Sequence, residues 1–108
     1  MANTFTSYVN KDVGTSAATV VTVGAATQTT IIGLDIANTT TSPITADVYI
    51  TRSAVNYYLI KGATVPVGSS LVVVGGDQKV VLITSDVLKV VTSAAASADV
   101  VTSVLNIT

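Results

Sequence analysis

Apolar and polar residues alternate along most of this chain with a period of two. The clearest case is Ile44–Arg52, where Ile44, Ala46, Val48 and Ile50 alternate with Thr45, Asp47, Tyr49 and Thr51. Successive side chains of an extended chain point to opposite faces, so this pattern predicts a strand with one buried face. Thr29–Asn38 has the same character, with Ile32, Leu34 and Ile36 expected on one face and Gly33, Asp35 and Ala37 on the other. Further strands are expected at Thr19–Val23, Asn56–Lys61, Ser69–Val74, Gln78–Thr84, Val87–Thr92 and Val100–Ile107. Turn chemistry separates them: Gly24–Gln28, the Thr39–Pro43 stretch, Ser53–Val55, Gly62–Gly68, Gly75-Gly76-Asp77, Ser85-Asp86 and Ser93–Asp99. Pro43 cannot donate to a central ladder, and Gly75-Gly76 supplies positive φ at little steric cost. The Ala-rich stretch Ala94–Ala98 is too short to stand as a helix. About eight short strands at regular spacing predict an all-β fold, a single antiparallel β-sandwich of jelly-roll or immunoglobulin-like type.

Residues 1–18 are polar and weakly patterned, with Phe5, Tyr8, Val9 and Val13 as isolated apolar anchors. They read either as a first strand or as an extended N-terminal arm lying on a neighbouring subunit. Residues 19–108 then form the sandwich.

Three strands break the alternation. Leu71-Val72-Val73-Val74, Val80-Val81-Leu82-Ile83 and Val87–Val91 are apolar on both faces. An isolated antiparallel sandwich keeps one face of each sheet wet and polar. Two-sided hydrophobicity predicts that the outer faces of these strands are covered as well, by a loop, by the N-terminal arm or, as the favoured cover, by another subunit.

Composition sharpens this picture. Hydrophobic residues make up 49% of the 108 residues and charged ones only 10%, against about 25% charged in a typical soluble domain. Every acidic residue is Asp, and Cys, His and Trp are absent. The chain is short both of groups that keep a protein apart from its neighbours and of groups that do proton, metal or thiol chemistry. Nucleophilic triads and the usual general-base histidine are excluded, and so are the preferred ligands of zinc and iron. A two-carboxylate site would need two of Asp12, Asp35, Asp47, Asp77, Asp86 and Asp99 in one cleft. Asp77 and Asp86 fall in expected turns, where Asp bonds its own backbone, and Asp35 and Asp47 alternate with core positions and so face outward. Calcium would draw on Asp77 near Asp86 or on Asp99, but no Asp-rich loop spacing is present. No enzyme activity, metal or cofactor is expected. The net charge of -1 and the scattered Lys11, Arg52, Lys61, Lys79 and Lys89 argue against nucleic acid. No run approaches the ~18 apolar residues of a membrane helix, and the first residues lack the basic start and apolar core of a signal peptide.

Tyr49, Tyr57 and Tyr58 cluster in one expected hairpin with Arg52 close by. A Tyr/Arg group suits a protein interface, and aromatic rings also stack on sugars. Adjacent Tyr57 and Tyr58 point to opposite faces, so at most one shares a face with Tyr49. The candidate contact residues are Phe5, Tyr8, Tyr49, Arg52, Tyr57 and Tyr58.

From Ile31 to Ile107 the chain resembles small β-sandwich virion structural proteins of tailed bacteriophages, marine and cyanobacterial ones in particular. The residues that carry the resemblance are Ile31–Thr39, Tyr57–Lys61, Val65-Pro66-Val67-Gly68-Ser69-Ser70-Leu71, Gly75–Leu82, Asp86–Val90 and Ala98–Leu105. The resemblance implies a short sandwich without catalytic residues. It implies a particle component made in the host cytoplasm and present in many copies, as a capsid decoration or a neck- or tail-associated part. Its partners would be copies of itself and other virion proteins. The alternative is an adhesin or carbohydrate-binding module using the Tyr49/Tyr57/Tyr58 hairpin.

Overall fold

The computed structural model describes residues 2–75 and 78–108. Among these residues nine strands form: β1 (Asn3–Val13), β2 (Ala18–Thr22), β3 (Gln28–Asn38), β4 (Ile44–Arg52), β5 (Val55–Val65), β6 (Ser70–Val74), β7 (Val80–Leu82), β8 (Val87–Thr92) and β9 (Ala98–Ile107). They make two antiparallel sheets packed face to face, a β-sandwich measuring 45 × 28 × 22 Å. One sheet runs β1-β9-β3-β6, with β7 also pairing β3; the other runs β2-β8-β4-β5. Residues 3–13 are an in-sheet edge strand, paired along β9 from Asn3↔Ile107 to Val13↔Ala98.

The inner faces meet in an aliphatic core. Ile31, Leu34 and Ile36 of β3, Val100 and Val104 of β9, Val48 of β4 and Leu88 and Val90 of β8 are all buried. The face assignment differs from the simple alternation at one strand. The register of β3 against β9 shifts between Ile31 and Gly33. This bulge adds a residue, so Ile31 rather than Ile32 points inward with Leu34 and Ile36.

Other boundaries shift for local reasons. The β4–β5 turn is only Ser53-Ala54, with φ of 52° and 63°, the left-handed pair that a tight hairpin needs. β5 continues through Gly62, whose φ is +70° and whose N–H donates to the Asp47 carboxylate at 2.7 Å. Glycine there absorbs a bulge rather than ending the strand. Conversely, β7 covers only residues 80–82 of the expected 78–84. The expected turn at Gly76-Asp77 lies outside the described residues. The small-residue loop after β8 has a packing reason. A Cβ on Gly14 would lie 2.9 Å from Ala96 N and 3.1 Å from Ala95 Cα, so the end of β1 presses its backbone onto that loop.

One ion pair ties the sheets together where β7 hands the chain across to β8. Asp86 is 1% exposed. Its carboxylate accepts from Arg52 Nε at 2.8 Å and Arg52 Nη2 at 2.6 Å, and from the Ile83 N–H at 2.9 Å. The backbone closes the same turn: Asp86 N–H donates to Ile83 O, Val23 N–H to Asp86 O, and Ser85 N–H to Val23 O. The turn expected of Asp86 is present, and Arg52 converts it into a link between β4, the end of β2 and the crossover. The Arg52 hydrogen bonds, above all, hold the Asp86 carboxyl below the usual carboxylate range, against the opposing effect of burial.

A carboxyl whose folded pKa is depressed supplies stability that is complete above the unfolded value of about 3.9 and drains as pH falls from there through the folded value. Wild-type stability, followed by thermal melts, is therefore expected to hold near neutrality and to fall on acidification below about pH 4. Asp86→Asn should cost about 1–3 kcal/mol at pH 7 and flatten that acid slope; an unchanged slope would remove Asp86 as its source. A second expectation concerns Thr102, which faces the core fully buried and whose hydroxyl has no hydrogen-bond partner among the described residues. Thr102→Val keeps the shape and removes an unsatisfied group. It should stabilise by about 1 kcal/mol, a Tm gain of roughly 4–8 °C in calorimetry.

Candidate functional site

Side chains paired across neighbouring strands stand on the same face. On the outer face of the five-stranded sheet this aligns Val9, Val101, Asp35 and Val72 in one row. A second row joins Phe5, Leu105, Thr30 and Val81. Between them runs a low row of Ser7, Ser103 and Gly33. Phe5 and Val9 are each 74% exposed and Val72 60%; Val81 and Val101 are exposed as well. These are aliphatic and aromatic groups left in water on a continuous surface. Only Asp35 brings a charge to the two rows that hold Val9 and Ser7. Asp99 stands at the rim, where it meets Lys11 at 3.6 Å.

The outer face of the four-stranded sheet has a different chemistry. Thr19, Lys89, Tyr49 and Tyr58 form its central row. The Tyr49 and Tyr58 rings lie 5.1 Å apart, tilted by 44°, and Lys61 Nζ sits 4.6 Å over Tyr58. Lys89 has no ion pair among the described residues. Asp47 is engaged by the Gly62 N–H. This face carries two tyrosines and two ammonium groups with one carboxylate, Asp47, whereas the first is aliphatic across its middle, where Asp35 is the charged residue among the described ones.

The expected contact residues therefore fall in four places. Phe5 belongs to the aliphatic face. Tyr49 and Tyr58 share the aromatic face. Tyr57 pairs with Ile50, on the side of β5 that turns toward the other sheet, and lines a shallow cleft with Ile50 and Arg52. Arg52 itself is held by Asp86. Tyr8 turns inward and packs partly buried against the core. Two tilted rings capped by an ammonium do not make a flat sugar platform, and the third Tyr of the hairpin is on the other side of its strand. Among the described residues no three Asp side chains gather into a metal-binding group. The sequence marks Val9 only as an isolated apolar anchor, and Val101 sits in a strand whose pattern is ordinary. Their exposure together follows only from the β1–β9 register. On β6 and β7, by contrast, the exposed Val72 and Val81 belong to the runs whose two-sided hydrophobicity marks them. Among the described residues no other segment covers them.

No protein-family model matches the sequence, and no curated protein matches it. Among solved structures the fold is similar to a chain from Bacillus endospore appendages, described as a novel family of disulfide-linked pili. The TM-score is 0.60 at 15% identity, over 99% of this chain and 87% of that one. Similarity at that identity concerns the fold. It nonetheless corrects the expected role: the fold matches a bacterial appendage, and nothing ties the chain to a tailed-phage particle. The capsid, neck or tail assignment is withdrawn, and the adhesin or carbohydrate-binding alternative gains no support. The physical reason is plain. Motifs such as Pro66-x-Gly68 encode turn chemistry between strands, and such turns serve any sandwich whatever it builds.

Proposed function

We propose that this chain is a non-enzymatic structural subunit that associates with copies of itself into a pilus-like filament. The observation that carries the proposal is the exposed apolar outer face of the five-stranded sheet. An uncovered surface of this kind is an interaction site or an aggregation hazard, and copies of the same chain are the partner always present at high local concentration. The likeness in fold to a pilus of bacterial endospores supports the same direction. That pilus is described as disulfide-linked, whereas this sequence has no Cys. Its copies would be held by burial of apolar surface, worth about 25 cal/mol per Å². The open edges of β1 and β5, each eleven residues long, offer further main-chain pairing.

The purified chain is expected to associate as its concentration rises in sedimentation velocity, and to form uniform filaments in negative-stain electron microscopy. Val101→Asp and Phe5→Ser alter exposed side chains and should reduce association while leaving the thermal midpoint within about 0.5 kcal/mol of wild type. A wild-type chain that stays monomeric up to millimolar concentration would sink the proposal.

A further inference from the structure

We infer that copies of this chain stack face to back: the aliphatic outer face of the five-stranded sheet of one copy lies on the Tyr49/Tyr58/Lys89 face of the four-stranded sheet of the next. The inference rests on the self-association proposed above and names the two surfaces that meet.

Charge selects this pairing. Asp35 is the charged residue at the middle of the aliphatic face, flanked in its row by Val101 and Val72, and it makes no ion pair among the described residues. Two such faces packed on each other would bury two unpaired carboxylates in apolar surroundings, which is strongly unfavourable. Two aromatic faces packed on each other would set Lys61 and Lys89 against their own copies, with Asp47, held by the Gly62 N–H, as the one acid on each side. The mixed arrangement puts Asp35 opposite a face with two ammonium groups, Lys61 and Lys89, and one carboxylate, Asp47, that already accepts from the Gly62 N–H. Opposite charges then meet where like charges would have repelled.

Shape supports the same choice. On the aliphatic face Ser7, Ser103 and Gly33 make a low row between ridges bearing Phe5 and Leu105 on one side and Val9 and Val101 on the other. On the opposing face Tyr49 and Tyr58 form a raised pair in line with Lys89. Tyr rings seated in the low row place the Lys89 ammonium beside the next row, which contains Asp35. Both rows lie within the middle stretch of their strands, so the smaller four-stranded face can sit over the middle of the larger one.

The smaller, four-stranded face sets the area: strands of 5, 6, 9 and 11 residues, at about 3.3 Å per residue and about 4.8 Å apart, give roughly 500 Å². A standard stable interface buries about 800 Å² on each partner, so each single contact is a weak one and the stack depends on its repetition. Because the two surfaces differ, the contact is not self-closing, and repetition yields an open stack rather than a dimer.

Charge exchange tests it. In sedimentation velocity, Asp35→Lys and Lys89→Asp should each weaken association by about tenfold or more. The double variant Asp35→Lys/Lys89→Asp should recover wild-type association, because the exchanged charges again oppose one another. Circular dichroism of each variant reports whether it is folded. The absence of native Cys permits a second measurement that needs no charge repulsion. Asp35→Cys/Lys89→Cys treated with a short bismaleimide should give a ladder of cross-linked multimers, and Asp35→Cys alone should give none. Single charge variants that associate like wild type, a double variant that does not recover, or dimers from Asp35→Cys alone would overturn face-to-back stacking while leaving self-association intact. A wild-type chain that never associates would instead remove the proposed function and this contact with it.

Discussion

The pairing of β3 with β9 is the constraint on which the rest of this molecule depends. Those two strands form the middle of the five-stranded sheet, and their register runs from Gln28↔Ile107 to Asn38↔Ala98 with a single shift between Ile31 and Gly33. The side-chain period of a strand is two, so one residue of slip exchanges every inward and outward position. The bulge makes use of that property once. It lets Ile31 and Leu34, which differ in parity, both enter the core, and it leaves Gly33 and Asp35 outward. The core and the outer rows are thus two consequences of one register. A different register would bury Asp35 and expose Leu34.

Much of the fold was legible in the sequence because local chemistry dictates it. β4 lies where strict alternation of Ile44, Ala46, Val48 and Ile50 puts it, and β8 where Leu88 and Val90 alternate with Lys89. The sandwich architecture follows from the count and spacing of such segments. The misplaced details are those that depend on partners distant in sequence. The inward turn of Ile31 needs a bulge that only β9 reveals. The continuation of β5 through Gly62 depends on the Asp47 carboxylate, which anchors the glycine N–H. The short β7 ends where the chain must cross to the other sheet under the hold of Arg52 on Asp86.

The candidate surfaces show the same division. The hydrophobic runs in β6 and β7 signalled an outer face needing cover, since Val72 and Val81 have no inward place to go. The tyrosine hairpin, by contrast, was read as one group and is divided by strand geometry: Tyr58 stands with Tyr49, and Tyr57 stands with Ile50. A pattern in one strand tells which side a residue takes relative to its neighbours. It does not tell which strand lies alongside, and a surface is made of what lies alongside. That is why an aliphatic face with Asp35 at its middle, and an aromatic face with Lys61 and Lys89, emerged from the pairing and not from the composition.

The strand order also fixes when the aliphatic face comes into being. β9 follows all the other strands in the chain, yet it lies between β1 and β3. Phe5 and Val9 on β1 cannot stand beside Asp35 and Thr30 on β3 until Val101 and Leu105 of β9 have been inserted between them. Such pairings between distant segments are slow to form, because loop closure must precede the contacts that reward it. Before that step β1 lacks its partner and the continuous apolar surface does not exist. The face that calls for a partner is therefore completed by the same event that completes the sheet. For a chain with so few charges to hold copies apart, this ordering ties the capacity to associate to the finished fold.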